Sequence, residues 1–387
     1  MNPHPAGPIG SAEQFHEEAR RARARGAAFK GLDYDKAPLL VIWETTRSCA
    51  LACKHCRASA ILGRDPEELS TGEGFRLLDQ AAAMGTPLFI LTGGDPLQRD
   101  DLEELVRHGK ERGLRIGTIP AATERLTRAR LASLKEAGVD QVALSLDAPE
   151  AAPHDGFRGV EGSFAKVMEA AGWARELGIP LQINTCFAAW NFSRLDEMIR
   201  TVKGLGVVFW EVFFLVPTGR GAAMDGLCAA QFEEAFAKLY ALSREVSFVV
   251  KLTEAQHYRR YVLQEEARAR AQGRAEEGRR PMGSSAPAVN AGKGYMFVDY
   301  RGDAYPSGFL PVPVGSVRRQ GLAELYRDAP LMRELRDSSK LKGKCGDCEY
   351  RVVCSGSRAR AYALTGDPQA EEEACAYEPA AHGRNVA

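Results

Sequence analysis

No stretch of about 18 apolar residues occurs anywhere in this chain, which excludes an ordinary membrane-spanning helix. Nor is there an excess of charge of either sign: 51 basic and 51 acidic residues leave a formal net charge of zero. That balance argues against a protein built to coat nucleic acid or an acidic membrane, and neither is expected as a partner. The N-terminal stretch "MNPHPAGPIGSAEQFHEEARRARARG" is basic but has no apolar segment after it, so a secretory leader is not expected. Cysteine is scarce: nine residues, an odd number, mostly gathered in two short groups. That usage suits thiolate metal sites in a reducing cytoplasm better than a disulfide frame.

What is present is an ordinary globular composition, 45% hydrophobic and 26% charged over 387 residues, enough for two domains. Residues 1–35 read as a helical or flexible segment, with a helix at about 12–25. From there an alternation begins. "PLLVIWET" (38–45) is a continuous apolar run, as expected of a strand buried on both faces. "STGEGFRLLDQAAAMG" (70–85) is a helix with Ser70 and Glu73 as a capping box and Gly85 as its stop. The unit recurs with strands at 87–94, 114–120, 140–147, 180–187 and 207–217, and helices at 100–112, 127–137, 163–177, 193–204 and 230–244. Six βα units in series predict parallel strands with right-handed crossovers. The fold class is therefore α/β, a partial (β/α)6 TIM-like barrel over 36–255, with its site at the C-terminal ends of the strands. Residues 256–289 are charged and then rich in Pro, Ser and Gly, and read as a flexible linker. Residues 290–380 form a small α+β domain: a β-hairpin about Arg301-Gly302-Asp303, a helix at 321–337 and a cysteine cluster.

The first cysteine group, "TTRSCALACKHCRASA", has the spacing C-x3-C-x2-C at Cys49, Cys53 and Cys56. Three thiolates on a short loop can hold a four-iron cluster by three of its irons and leave the fourth open to a ligand with an amine and a carboxylate. The alternative is a zinc site completed by His55, but His55 lies between two of the cysteines, where its side chain diverges from theirs. The second group is Cys345-x2-Cys348-x5-Cys354-x20-Cys375. Four cysteines close a coordination sphere, and spacing alone leaves zinc and an iron–sulfur cluster both open.

With these residues the chain resembles the radical S-adenosylmethionine (SAM) enzymes. In that family the open iron binds SAM, one electron cleaves the sulfonium, and a 5′-deoxyadenosyl radical takes hydrogen from substrate. His55 stands where an aromatic residue is usual and is expected to pack beside the cluster. The hairpin, the helix and "CEYRVVCSGSRARAYALTGDP" resemble the SPASM/Twitch extension, which implies an auxiliary 4Fe–4S cluster on Cys345, Cys348, Cys354 and Cys375. Related sequences often carry further cysteines where this chain has Ser307 and the run Ser355 to Arg358, so one fully ligated auxiliary cluster is expected.

The resemblance also assigns the SAM site. "LTGGDP" (91–96) would place Gly93, Gly94 and Asp95 against the SAM amino group, glycine allowing close backbone approach. Ser145 and Asp147, two apart at the end of the fourth strand, would face the same way and meet the ribose diol. Arg158 would pair with the SAM carboxylate or else with nearby acids. Val216 in "VPTGRG" (216–221) would pack on the adenine, and Arg220 would meet an anionic substrate or solvent. His154 reads as a structural hydrogen-bonder, and Cys186 and Cys228 as buried inert thiols. The catalytic acid or base is not legible. The branch includes enzymes that modify haem-like tetrapyrrole side chains and maturases of ribosomal peptides; the C-terminal motif leans to the former, with a flavodoxin- or ferredoxin-like electron donor. A competing class is a non-catalytic iron–sulfur electron-transfer or sensing module.

Overall fold

The computed structural model describes residues 31–273 and 289–380. The helix expected at 12–25 lies outside them. Among the described residues no helix is long and apolar enough to cross a membrane.

Strands β1 (Leu40–Glu44), β2 (Leu88–Thr92), β3 (Arg115–Thr118), β4 (Gln141–Ser145), β5 (Leu181–Phe187) and β6 (Phe209–Phe214) run in chain order in one sheet. Helices α1 (Thr71–Ala83), α2 (Leu102–Glu111), α3 (Arg128–Glu136), α5 (Ser163–Glu176), α6 (Leu195–Gly204) and α7 (Ala229–Glu245) follow them in turn. The capping box of α1 forms as expected: the Ser70 amide donates to Glu73 Oε2 at 2.8 Å, and the Glu73 amide donates to Ser70 Oγ.

The six-unit expectation is extended at both edges. "VVKLT" makes a seventh parallel strand, β7 (Val249–Thr253), paired with β6 in the register Glu211↔Lys251. At the other edge β8 (Tyr295–Val298) pairs in parallel with β1. The expected hairpin is β8 with β9 (Asp303–Tyr305), and β10 (Gly315–Ser316) adds to it. The ten strands form one open sheet, β10-β9-β8-β1 through β7. The C-terminal unit is thus continuous with the barrel wall.

Three further elements differ from the sequence reading. The segment read as a loose linker holds α8 (Tyr258–Ala271), which buries Tyr258, Val262 and Glu266 along one face and Arg260 on another. Residues 274–288 lie outside the description. A short helix, α4 (Ala151–Arg158), follows β4; its proline, Pro153, sits in the first turn, where no intrahelical donor is lost. The helix expected at 321–337 is two, α9 (Leu322–Asp328) and α10 (Pro330–Arg336), because Pro330 forces Ala329 into an extended conformation. Two short helices complete the chain, α11 (Gly343–Asp347) and α12 (Arg358–Thr365).

Alternation along each strand sorts the side chains. Trp43, Phe89, Leu91, Ile183, Trp210, Val212 and Phe214 are almost fully buried and join the core with the surrounding helices. The opposite, inner face is polar on β5 to β7. Gln182 Nε2 donates to Asn184 Oδ1 (2.6 Å) and Glu211 Oε2 (2.9 Å), while Lys251 Nζ and Thr253 Oγ1 both donate to Glu211 Oε1.

Candidate active site

The first cysteine group lies on the long loop between β1 and α1, and its backbone is clamped from three sides. The Cys49 amide donates to the Ile61 carbonyl (2.8 Å), the Ala52 and Lys54 amides donate to the carbonyls of Arg158 and Phe157 at the end of α4, and the Arg220 amide donates to the Cys56 carbonyl (3.0 Å). Gly219 permits the last contact: it has φ +56°, and a Cβ there would lie 2.4 Å from the Arg57 carbonyl oxygen. Cys49 and Cys53 are buried, Cys56 half-buried, against Leu51, Ala121 and Val160. Cys49 Sγ accepts the Leu51 amide (3.4 Å), and Cys53 Sγ lies 3.6 Å from Arg158 Nη1. Burial pushes the Cys49 thiol up to about 12. A thiol so placed ionises readily only when a metal core takes its charge, which suits a cluster ligand.

The glycine motif packs against the cysteine loop. Gly93 and Gly94 spend their missing Cβ atoms on the protein itself. A Cβ on Gly94 would lie 2.4 Å from the Ser48 carbonyl oxygen, and one on Gly93 2.7 Å from that of Thr46. The Gly94 and Asp95 amides donate to the carbonyls of Thr46 and Ser48, each at 2.7 Å. The motif therefore fixes the start of the cysteine loop. Asp95 is fully buried, its carboxylate accepting from Leu97 N, Gln98 Nε2, Ala121 N and Thr123 Oγ1. Its side chain is engaged inside the protein rather than turned to a ligand.

Ser145 and Asp147 do not share a setting. β4 ends at Ser145, so the strand's two-residue period no longer applies at Asp147. Ser145 is half-buried and its hydroxyl has no hydrogen-bond partner among the described residues. Asp147 is fully buried, accepts the Cys186 amide (2.8 Å) and forms an ion pair with Arg158. Burial opposes its ionisation, but the Arg158 guanidinium holds the carboxyl below its ordinary value. Of the two partners weighed for Arg158, the structure shows the acid. His154 Nδ1 accepts the Asp147 amide (3.2 Å), a structural role as expected. His55 stacks on Phe157 with ring centroids 4.6 Å apart, and Phe157 stacks on Trp190.

Val216 is 3% exposed and packs with Ala291, Leu310, Leu335 and Ala359 of the C-terminal unit. Arg220, rather than lying in solvent, buries its Nε and Nη2 without a partner among the described residues. So do His55 Nδ1, His154 Nε2 and Arg158 Nε beside the same loop. Buried donors of this kind call for a polar ligand, and SAM, with its carboxylate, amine and diol, fits them. Cys228 is exposed at the start of α7, contrary to the expected buried thiol.

The second cysteine group forms a separate centre. Cys345, Cys348, Cys354 and Cys375 line one cavity with His257, Arg260, Lys344 and Glu372. Each sulfur accepts a backbone amide: Cys345 from Glu372 (3.3 Å), Cys348 from Tyr350 (3.4 Å), Cys354 from Gly356 (3.4 Å) and Cys375 from Tyr377. Amide donors aimed at thiolate sulfur are the interactions that tune iron–sulfur clusters. Among the described residues no three His, Cys, Asp or Glu side chains are placed to hold a single metal ion. The four thiols line one cavity together, and a four-thiolate donor set with amide hydrogen bonds suits an iron–sulfur cluster.

Sequence reasoning missed the seam between the two centres. Arg360 is buried and donates to Glu372 Oε2 (2.9 Å) and to the Glu254 carbonyl; Ser357 Oγ donates to the Glu254 carboxylate. Glu254 follows β7 with φ +57°, so this join is held against a backbone preference. Near the barrel interior, Arg57 donates to Glu44 Oε1 (3.2 Å) and lies 4.3 Å over the Phe297 ring. No local signal marks these partners, which are tens to hundreds of residues apart.

Residues 43–202 match the radical SAM superfamily, and residues 290–349 match SPASM, an iron–sulfur cluster-binding domain. The AdoMet-dependent heme synthase of Nitratidesulfovibrio vulgaris is 38% identical over 343 residues, 88% of this chain and 92% of that one. The PqqA peptide cyclase of Rhodopseudomonas palustris is 31% identical over 353 residues, 88% of each chain. The crystal structure of Streptococcus suis SuiB bound to S-adenosylmethionine shares the fold, with a TM-score of 0.68 at 17% identity over 94% of this chain and 83% of that chain. With likeness of this extent the chain belongs to the SPASM-bearing branch of the radical SAM superfamily, and is a radical SAM enzyme that works with a 4Fe–4S cluster, SAM and an auxiliary iron–sulfur centre.

Proposed function

We propose that this enzyme modifies a side chain of a haem-like tetrapyrrole. The observation that carries the reading is the likeness to an AdoMet-dependent heme synthase along nearly the full length of both chains, at higher identity than the peptide cyclase. The barrel interior supports it. A tetrapyrrole offers a broad apolar ring and carboxylates, and this wall sets Arg57 over Phe297 and places Lys251 and Glu211 on the same inner face as Phe209 and Phe213.

Bound here, the first cluster and SAM would supply the one-electron chemistry that starts hydrogen abstraction from the substrate. Around it the chain binds and orients. Cys49, Cys53 and Cys56 hold three irons, and Gly93, Gly94 and Asp95 fix their loop. The Ser145 hydroxyl would meet the ribose, and the Asp147–Arg158 ion pair would hold the adjoining backbone through the Cys186 amide. Arg220 meets a carboxylate of SAM or substrate, and the Val216 backbone borders the adenine. Cys345, Cys348, Cys354 and Cys375 hold the auxiliary cluster, and a small flavodoxin- or ferredoxin-like protein delivers the electron.

A peptide substrate is the second reading, favoured by the 31% identity to a peptide cyclase. The test is anaerobic turnover of the dithionite-reduced enzyme with SAM and either deuterated tetrapyrroles or candidate peptides. The tetrapyrrole reading expects deuterium in 5′-deoxyadenosine and a mass change in the tetrapyrrole. Label transfer from peptides alone would overturn it, and absence of 5′-deoxyadenosine under all conditions would remove the enzyme assignment.

A further inference from the structure

His257 caps the N-terminus of α8 and is 1% exposed. Its ring is held between Phe232 and Phe236, with centroids 4.8 Å from each. Neither ring nitrogen has a hydrogen-bond partner among the described residues. A buried imidazole with both nitrogens unsatisfied is rare and requires an explanation, because each unpaired polar atom loses its hydration for nothing in return. The two phenyl rings cannot supply a hydrogen bond. The other neighbour is the cavity, since His257 lines the same space as Cys345, Cys348, Cys354 and Cys375.

We propose that His257 donates an N–H hydrogen bond to the auxiliary iron–sulfur cluster and thereby sets its reduction potential. In either neutral tautomer the ring carries one N–H, and when protonated two, so a donor is present in every state. The Glu372 carboxylate also lines the cavity, but it accepts from Arg360 and the Ser357 amide and makes no hydrogen bond to the His257 ring, which leaves the cysteine sulfurs and the bridging sulfides of the cluster as acceptors. Each cysteine sulfur already accepts one backbone amide. A further donor stabilises the more negative, reduced state, and so raises the potential. His257 comes from the barrel side of the seam, where β7 leads through Glu254 into α8, whereas all four ligands belong to the C-terminal unit. It acts as a positioning and tuning residue, not a ligand. The inference rests on the auxiliary cluster assigned above.

The test uses the full chain with Cys49, Cys53 and Cys56 changed to alanine, so that the auxiliary cluster is observed alone. In that background H257F keeps an aromatic ring in the slot and removes the donor. EPR-monitored redox titration is expected to show the cluster harder to reduce by roughly tenfold in equilibrium constant, about 59 mV for one electron. H257Q, which restores an N–H, is expected to recover part of the shift, an outcome that loss of packing would not give. Should H257F fail to assemble a cluster, pulsed EPR of the His257-containing protein labelled with 15N-histidine decides: a weakly coupled histidine nitrogen, lost in H257Q, supports the bond, and its absence overturns it. An unchanged potential in a loaded H257F protein also overturns it. If the triple-alanine protein binds no cluster at all, the cluster assignment falls together with the proposal, a result distinct from a cluster indifferent to His257.

Discussion

Arg158 links the Asp147 carboxylate to the Cys53 sulfur: it is ion-paired with the former and 3.6 Å from the latter. Asp147 is fully buried and Arg158 9% exposed, so neither charge is tolerable alone. R158M should therefore cost about 3–5 kcal/mol, the usual result of leaving one buried charge unpaired. The double variant D147N/R158M should recover most of that loss. Thermal unfolding of the three proteins under anaerobic conditions checks this, and equal midpoints for wild type and R158M would refute it. The Asp147 carboxyl is held low, so its contribution is present above the unfolded carboxylate value and is lost as pH falls through the folded one.

Gly94 should accept no side chain. In G94A the new methyl meets the Ser48 and Arg47 carbonyl oxygens at 2.4 and 2.6 Å, and both belong to backbone that leads into Cys49. The cysteine loop must then shift as a whole. Iron is expected to fall from about eight to about four per chain, because the auxiliary cluster is untouched. SAM cleavage should drop at least tenfold. Full iron content with normal cleavage would show that the contact is not needed.

The alternation of apolar runs and capped helices made the barrel legible, and three closely spaced cysteines made the chemistry legible. The failures have physical causes. β7 is only five residues and carries Lys251 on its inner face, so its apolar signal is weak. α8 is densely charged, and its buried residues include Arg260 and Glu266, which composition reads as solvent-loving. Arg260 is paired through its Nη atoms with Glu233 on α7, a pairing that exists only after folding. Asp147 was placed by strand period, but the strand had already ended. Val216 and Asp95 have neighbours in distant segments, and no local rule could show that those neighbours occupy them.

The Ser145 hydroxyl, without a hydrogen-bond partner among the described residues, is the group of the expected ribose pair that can meet a ligand. S145A should weaken SAM binding about fivefold, the worth of one neutral hydrogen bond near 1 kcal/mol. D95N should act differently. Four donors converge on that buried carboxylate, so the amide must clash with one of them, and the loss should appear as lower stability and cluster content. Equilibrium binding of SAM to the loaded proteins separates the two. A SAM affinity unchanged in S145A would remove Ser145 from the site.

Glu73 and Arg318 form an ion pair between the first barrel helix and the C-terminal unit, at 2.9 Å. Partial burial works against the charge, but hydrogen bonds from Arg318 and Ser70 bring the Glu73 carboxyl down to about 2. A depressed carboxyl stabilises the fold above its unfolded value and stops doing so as pH falls through the folded one, here between about 4.5 and 2. Arg318 is about one-third exposed, so solvent screening reduces the gain to roughly 0.5–1 kcal/mol. E73Q should lower the unfolding midpoint slightly at neutral pH, and its difference from wild type should vanish in acid. A difference that persists at the lowest pH would mean that capping geometry, not charge, carries the effect.

The seam beneath the auxiliary centre is the more demanding case. Arg360 is 4% exposed, between Glu372 (1%) and the Glu254 carbonyl, with its guanidinium 4.9 Å from the Phe232 ring. Glu372 also receives the Ser357 amide, while its own amide donates to Cys345 Sγ. Removing the arginine charge leaves Glu372 buried and unpaired one bond away from a cluster ligand. R360M should therefore cost about 3–5 kcal/mol and empty the auxiliary site, leaving about four irons per chain on the first cluster. R360K keeps the charge but loses the fork that spans Glu372 and Glu254 together, and should fall between the two. Iron analysis combined with EPR tells which cluster survives. If R360M retained both clusters at an unchanged unfolding midpoint, the seam would be ornamental to the auxiliary centre rather than its support.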